Sequence, residues 1–294
     1  EGFIAKAIAH AASRPYKDAH RSYLKALNLD PYVHSPHLGF TVGYPEGNDF
    51  LSAIVDLDAQ MQRDQRDPYV FLVRADSLHN AEQFDKAVLE YTKAMELDGS
   101  IGDAYVGRGV CLTAQDALEA AQQDLIRALE IDPNDPDARV KLAIVLTMRR
   151  NYRAALAELG KALQVNPKNA EAFLRAGNVH YFLKEYPKAL ENYVLAAKSD
   201  PLDPNAFNGL GMGYFALRRN DEALESFSRA IAVNPLVDRY YRNRASIWTS
   251  TQKFGNAAGD FKTASMVNTD PGVVDDYKRL IEESQSRSAK SKSS

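Results

Sequence analysis

NAFNGLGMGYFALRRNDEALESFSRAIAVNP, Asn205 to Pro235, is the stretch that decides the fold. Phe207, Leu210, Gly211 and Tyr214 fall at helical spacing, then Ala223, Phe227 and Ala230 do so again. The stretch therefore reads as two short amphipathic helices joined by a turn, with Pro235 closing the unit. Stepping from Ala223 by 34 residues in both directions reaches Ala19, Ala53, Ala87, Ala121, Ala155, Ala189 and Ala257. Eight alanines at one fixed interval cannot be chance in a chain where alanine is a minority residue.

Other columns keep the same period. One is Ala26, Gln60, Ala94, Ala128, Ala162, Ala196, Ala230 and Ala264. Between the two alanine columns runs a large one: Tyr23, Leu57, Tyr91, Leu125, Leu159, Tyr193, Phe227 and Phe261. In the first helix a small column, Ala7, Thr41, Ala75, Gly109, Ala143, Gly177, Gly211 and Ala245, faces them. Helices approach closely only where one offers a small side chain and the other fills the space. The closing column is Pro31, Gln65, Gly99, Pro133, Pro167, Pro201, Pro235 and Thr269, which ends each second helix.

The order Leu210, Gly211, Tyr214, Ala223, Phe227, Pro235 resembles the tetratricopeptide repeat. The resemblance covers about residues 1–271 in eight units: 1–31, 32–65, 66–99, 100–133, 134–167, 168–201, 202–235 and 236–269. It implies an all-α solenoid of helix-turn-helix units, wound into a right-handed superhelix. The unit 32–65 is degenerate. Its first-helix region, HSPHLGFTVGYPEG (34–47), is rich in Gly and Pro and predicts a short or broken helix. After Pro271, Val273, Val274, Tyr277, Leu280 and Ile281 predict a capping helix over 272–284, as solenoid ends require. The Ser/Lys stretch 285–294 reads as disordered.

Composition narrows the function. A formal net charge of −3 predicts no general attraction to nucleic acid or anionic membranes. No apolar run approaches the ~20 residues of a membrane span. Cys111 is the only cysteine, which rules out an internal disulfide and suits a reducing compartment; the cytoplasm is expected. Glu1 is not methionine, so a fragment or a processed product is expected, with a targeting segment, further repeats or another domain outside this chain.

Chemistry is hard to find. The run Gly209, Gly211, Gly213 imitates a phosphate-cradling loop, but such a loop must follow a strand. His34 and His37 lack the further ligands zinc needs. His180 and Cys111 read as packed structural residues. No catalytic arrangement and no cofactor or metal site is expected, and the chain is read as not an enzyme.

In the family that this chain resembles, first helices line a concave groove that holds peptides. The resemblance places Asp76, Asp103 and Asp137 there in the N-terminal half. In the C-terminal half it places Lys141, Arg175, Asn178, Tyr181, Asn205, Asn208, Arg239, Arg242 and Asn243. The groove is thus expected to turn from acidic to basic. Asparagine can both donate to and accept from a peptide backbone, and arginine can grip a carboxylate with two bonds. The expectation is a non-catalytic scaffold or adaptor in a multiprotein complex. Its partner is a protein or peptide with acidic side chains or a free C-terminus. The alternatives are a substrate-recognition arm of a larger enzyme and a chaperone cofactor with a modified carboxylate clamp. For the clamp, the best register offers Leu174 and Asn178, then Gly209, then Arg239 and Asn243, and lacks the first lysine and the middle asparagine.

Overall fold

A computed structural model describes residues 67–293. The first two repeats, including the degenerate unit 32–65 and the His34/His37 pair, lie outside the described residues. The described residues form thirteen α-helices and no strand. The chain divides after Arg150 into two compact units.

In the first unit, α1 (Pro68–Asn80) pairs with α2 (Phe84–Leu97) and α3 (Gly102–Ala114) with α4 (Leu118–Ile131), while α5 (Pro136–Met148) packs on α4. The second unit opens with α6 (Tyr152–Val165), against α7 (Ala170–Phe182). Then α7 pairs with α8 (Tyr186–Ser199), α9 (Pro204–Ala216) with α10 (Asn220–Val233), and α11 (Asp238–Ser250) with α12 (Phe254–Val267). The last helix, α13 (Pro271–Ser293), packs on α12. First helices also touch in sequence: α1 with α3, α3 with α5, α7 with α9 and α9 with α11. Within each unit a helix thus packs on the next one along the chain, the arrangement of an all-α solenoid.

Local sequence sets the helix ends. Asp67, Asp135, Asn169 and Asp203 cap α1, α5, α7 and α9 with a carboxylate or amide oxygen, each 34 residues from the corresponding position of its neighbouring repeat. Proline follows the cap at positions 68, 136 and 204, where a missing N–H costs nothing. The turn inside each repeat has a second device. Glu82, Asp116, Arg150, Lys184, Arg218 and Gln252 all have φ between 57° and 64°. After Glu82, Asp116, Lys184, Arg218 and Gln252 the next residue donates its N–H five residues back, as Glu185 does to His180 O (2.9 Å) and Arg219 to Tyr214 O (2.9 Å). This is a Schellman closure. None of the six is glycine, so each repeat accepts backbone strain to make its turn.

The core follows the periodic columns. Ala87, Ala121, Ala155, Ala189, Ala223 and Ala257 are fully buried, as are Ala94, Ala162, Ala196, Ala230 and Ala264. Tyr91, Leu125, Leu159, Tyr193, Phe227 and Phe261 fill the space between them. At Gly211 an added Cβ would stand 2.6 Å from Phe227, and at Gly177 2.6 Å from Tyr193. Those glycines exist because a ring lies on the backbone.

The capping helix differs from its expected extent. It does not stop at residue 284 but continues to Ser293, through the stretch read as disordered. Packing explains the continuation: Ser284 is buried, Arg287 pairs with Glu283 one turn earlier, and the Arg287 guanidinium lies 5.9 Å from the Phe254 ring. Composition alone missed these contacts with α12.

Candidate functional site

The expected partner-binding residues sit on first helices, and their surroundings now separate them. In the second unit, α9 and α11 join two of the pairs. The Asn205 side-chain oxygen accepts from the Tyr240 hydroxyl (2.9 Å) and from the Arg239 guanidinium. Asn243 Nδ2 donates to Asn208 Oδ1 (2.8 Å), and Asn208 Nδ2 points at the sulfur of Met212 (3.6 Å). Arg239 also lies 5.3 Å from the Tyr240 ring. These two rungs, Asn205–Arg239 and Asn208–Asn243, tie neighbouring first helices together on the polar face.

The others do not join them. Arg175 is held by Glu171, one turn before it on α7 (3.0 Å). The oxygen of Asn178 accepts from the Tyr193 hydroxyl (2.9 Å) and so serves the core. Tyr181 packs against Tyr186, rings 5.4 Å apart, and burial raises its pKa. Arg242 is exposed, its guanidinium makes no hydrogen bond to a described residue, and it lies in the field of Asp238. Lys141 stands on α5 of the first unit, half-buried. Among the expected acidic residues, Asp76 accepts from the Tyr91 hydroxyl (2.6 Å), repeating the Asn178–Tyr193 bond at the same spacing of fifteen.

The glycine run is explained by packing. Gly209 and Gly211 lie inside α9, and a Cβ on Gly209 would stand 2.5 Å from the ring of Tyr193. Among the described residues no strand precedes α9, which follows directly on α8, so its glycines do not form a phosphate cradle. The same contact bears on the carboxylate clamp. Its middle asparagine corresponds to Gly209, where Tyr193 leaves no room for a side chain, and Leu174 is buried.

Sequence reading missed a set of buried ion pairs. Arg108 grips Asp124 with two bonds (2.8 Å each) and gives a third to Thr92 Oγ1 (2.9 Å). Arg244 repeats this on Asp260 (2.9 and 2.7 Å) and Ser228 Oγ (2.9 Å). Arg74 meets Glu90 at 3.3 Å. Each arginine thus spans its own second helix, and Arg108 and Arg244 also reach the second helix of the preceding repeat. The hydrogen bonds to the carboxylates raise the arginine pKa values despite burial. The signal was present as arginine followed sixteen residues later by an acid.

Nucleophile chemistry finds no support at Cys111. Its sulfur lies 3.3 Å from His79 Nδ1, but the thiol is fully buried. Burial pushes its pKa up to about 12 and lowers that of His79, so the pair stays neutral. His180 meets Glu185 at 2.7 Å in addition to its packing. Among the described residues no group of three or more His, Cys, Asp or Glu is placed to hold a metal, and no helix is long and apolar enough to cross a membrane.

Comparison with known proteins agrees with this geometry. The tetratricopeptide repeat family model matches residues 72–136, 140–206 and 208–271, more than half of the chain. A tetratricopeptide repeat protein from Parabacteroides merdae is similar in structure, with a TM-score of 0.66 at 20% identity, over 80% of this chain and 93% of that one. A chain of the APC/C hetero-tetramer Cut9–Hcn1 structure gives 0.71 at 13% identity, over 96% of this chain and 55% of the matched chain. A thermophilic repeat protein of Thermus thermophilus, TTC0263, gives 0.56 at 19%, over 61% of this chain and 98% of that one. At these identities the likenesses show the fold alone. No curated protein matches the chain. Periodic columns, paired helices and the matched family model together place this chain in the tetratricopeptide repeat family, whose members are in general scaffolds for protein–protein interaction.

Proposed function

We propose that this chain is a non-catalytic adaptor whose first-helix face in the second unit holds a peptide segment of a partner protein. The segment carries acidic side chains or a free C-terminus. One observation carries the reading: Arg239 and Arg242 are exposed one turn apart on α11, beside the Asn205 and Asn208–Asn243 rungs. The rungs hold the polar face in one arrangement before a partner arrives, which lowers the ordering cost of binding. Exposed guanidinium groups attract a carboxylate and can bind it bidentately. The chaperone clamp is not favoured, because Gly209 and Leu174 lack the donors it needs. A single buried free thiol suits a role in the cytoplasm.

The test is affinity capture with the full chain against the double variant Arg239→Glu/Arg242→Glu. Partner recovery should fall by roughly tenfold or more, since like charges now face each other. Equal recovery from both proteins overturns the reading.

A further inference from the structure

The long capping helix builds a pocket. First helices α1, α3, α5, α7, α9 and α11 have 13 residues each, whereas α13 has 23. Between α11 and α13 lies a cavity of about 480 Å³, open to solvent. Its floor is apolar, from Phe261 and Leu280. Arg242 lines it from α11, and Arg287, which only the extension of α13 supplies, lines it from the other side.

The polar groups divide by role. The hydroxyls of Ser246, Thr249 and Ser250 line the wall, and each donates to a carbonyl of its own helix: Arg242 O (3.0 Å), Ala245 O (2.9 Å) and Ile247 O (2.8 Å). Their donors are spent, so toward the pocket they offer lone pairs, which suit peptide N–H groups. The Arg242 guanidinium makes no hydrogen bond to a described residue. The one ion pair of Arg287 among the described residues is with Glu283, and both are about half exposed (54% each), the weak kind of surface pair that a better partner displaces. The donors into the pocket are therefore the two guanidinium groups.

Spacing defines the occupant. Arg242 precedes Ser250 by two turns, roughly 12 Å along α11. Arg287 lies over Phe254, just past Ser250, and so marks the far end. An extended peptide advances about 3.3 Å per residue and turns alternate side chains to one face. Residues i and i+4 then match the two arginines, and i+2 meets Leu280 and Phe261.

We infer that this pocket binds an extended partner segment of the pattern acid–x–apolar–x–acid. The inference rests on the peptide-binding reading above and locates it between α11 and α13. The outer carboxylates go to Arg242 and Arg287, the latter giving up Glu283. The central side chain covers the apolar floor, and backbone N–H groups reach the serine and threonine oxygens.

The probe is a fluorescein-labelled, end-capped Gly-Glu-Ser-Leu-Ser-Glu-Gly peptide, titrated with the full chain by anisotropy at low salt. Its Lys-for-Glu counterpart is the control. Arg287→Glu should weaken binding by roughly tenfold, and Glu283→Gln should tighten it by freeing Arg287. Ser246→Trp, at an exposed site that leaves the core alone, should block it. The lysine peptide should not bind. Equal binding of both peptides, no binding of either, or indifference to Arg287→Glu and Glu283→Gln overturns the pocket. If partner capture still depends on Arg239 and Arg242 in that case, the broader reading survives alone. If capture ignores those two, both readings fall, because Arg242 is one of the pocket's two guanidinium groups.

Discussion

The ring of Tyr193 lies on the backbone of Gly209, so close that a Cβ there would stand 2.5 Å from its Cδ1. The tyrosine belongs to one repeat and the glycine to the next. Tyr91 meets Gly107 in the same way. Where the large position is Leu125, Leu159 or Phe227, the residue sixteen later is Lys141, Arg175 or Asn243. A tyrosine thus demands a glycine in its neighbour. Gly209→Ala should lower stability by about 1–3 kcal/mol through overpacking. Urea denaturation of Gly209→Ala, Tyr193→Leu and the double variant checks this. The double variant should be more stable than the sum of the singles predicts, by at least about 0.5 kcal/mol. Strict additivity would count against the pairing.

Arg244 and Asp260 form a largely buried fork, with side chains 22% and 9% exposed. Removing only the arginine leaves a buried, unpaired carboxylate. Arg244→Met should therefore cost about 3–5 kcal/mol. Removing both charges, as Arg244→Met/Asp260→Leu, should restore most of that loss. Thermal unfolding of the three proteins decides it; a double variant as unstable as the single one contradicts the account.

Tyr277 anchors the capping helix by donating to Asp238 Oδ2 (2.6 Å), which also accepts from Asn268 Nδ2 (2.8 Å). Burial opposes the Asp238 charge, yet these hydrogen bonds outweigh it and lower the pKa. Its folded value therefore lies below the unfolded one. The stabilisation is present above the ordinary carboxylate value of about 3.9 and is lost as pH falls through the lower folded value. Tyr277 behaves oppositely at high pH. Burial, followed by the bond to Asp238, raises its pKa to about 12, so its contribution is full below about 10 and disappears as pH rises through the folded value. Tyr277→Phe should cost about 1.5–3 kcal/mol, as for a bond to a charged acceptor. Hydrogen exchange should accelerate chiefly in α13 and its contacts on α12, and unchanged protection there would refute the anchor.

Lys184 has φ 62° in the turn between α7 and α8. A β-branched residue cannot take that conformation cheaply. Lys184→Val should lower stability by about 1–2 kcal/mol, whereas Lys184→Gly should not lower it. Chemical denaturation of the two variants suffices, and equal effects would show that the turn relaxes.

Much of the fold was legible in the sequence because its signals are short-range and repeated. A 34-residue step through Ala87 to Ala257 exposes the helix pairs, since alanine is what lets two helix backbones meet. The six left-handed turn residues escaped notice because none is glycine, so nothing in their chemistry announces the strain. The extent of α13 escaped because composition measures solubility and cannot see a docking surface such as Phe254. The polar face was legible only as a set of residue types. Asn178 and Asn205 look alike in sequence, but one accepts from the core tyrosine of its own repeat and the other from the arginine and tyrosine of the next.

By itself the sequence determined the repeat length, the pairing of helices and the residues that form the core. Side-chain volume at fixed spacing is enough for that, because each helix packs only on near neighbours. Only the tertiary structure decided which charged and polar groups are already engaged. Whether Arg244 is buried on Asp260 while Arg242 stands exposed depends on which neighbouring helix each side chain meets. Two arginines two positions apart on one helix point in directions about 200° apart, and what lies along each direction is set by the packed array.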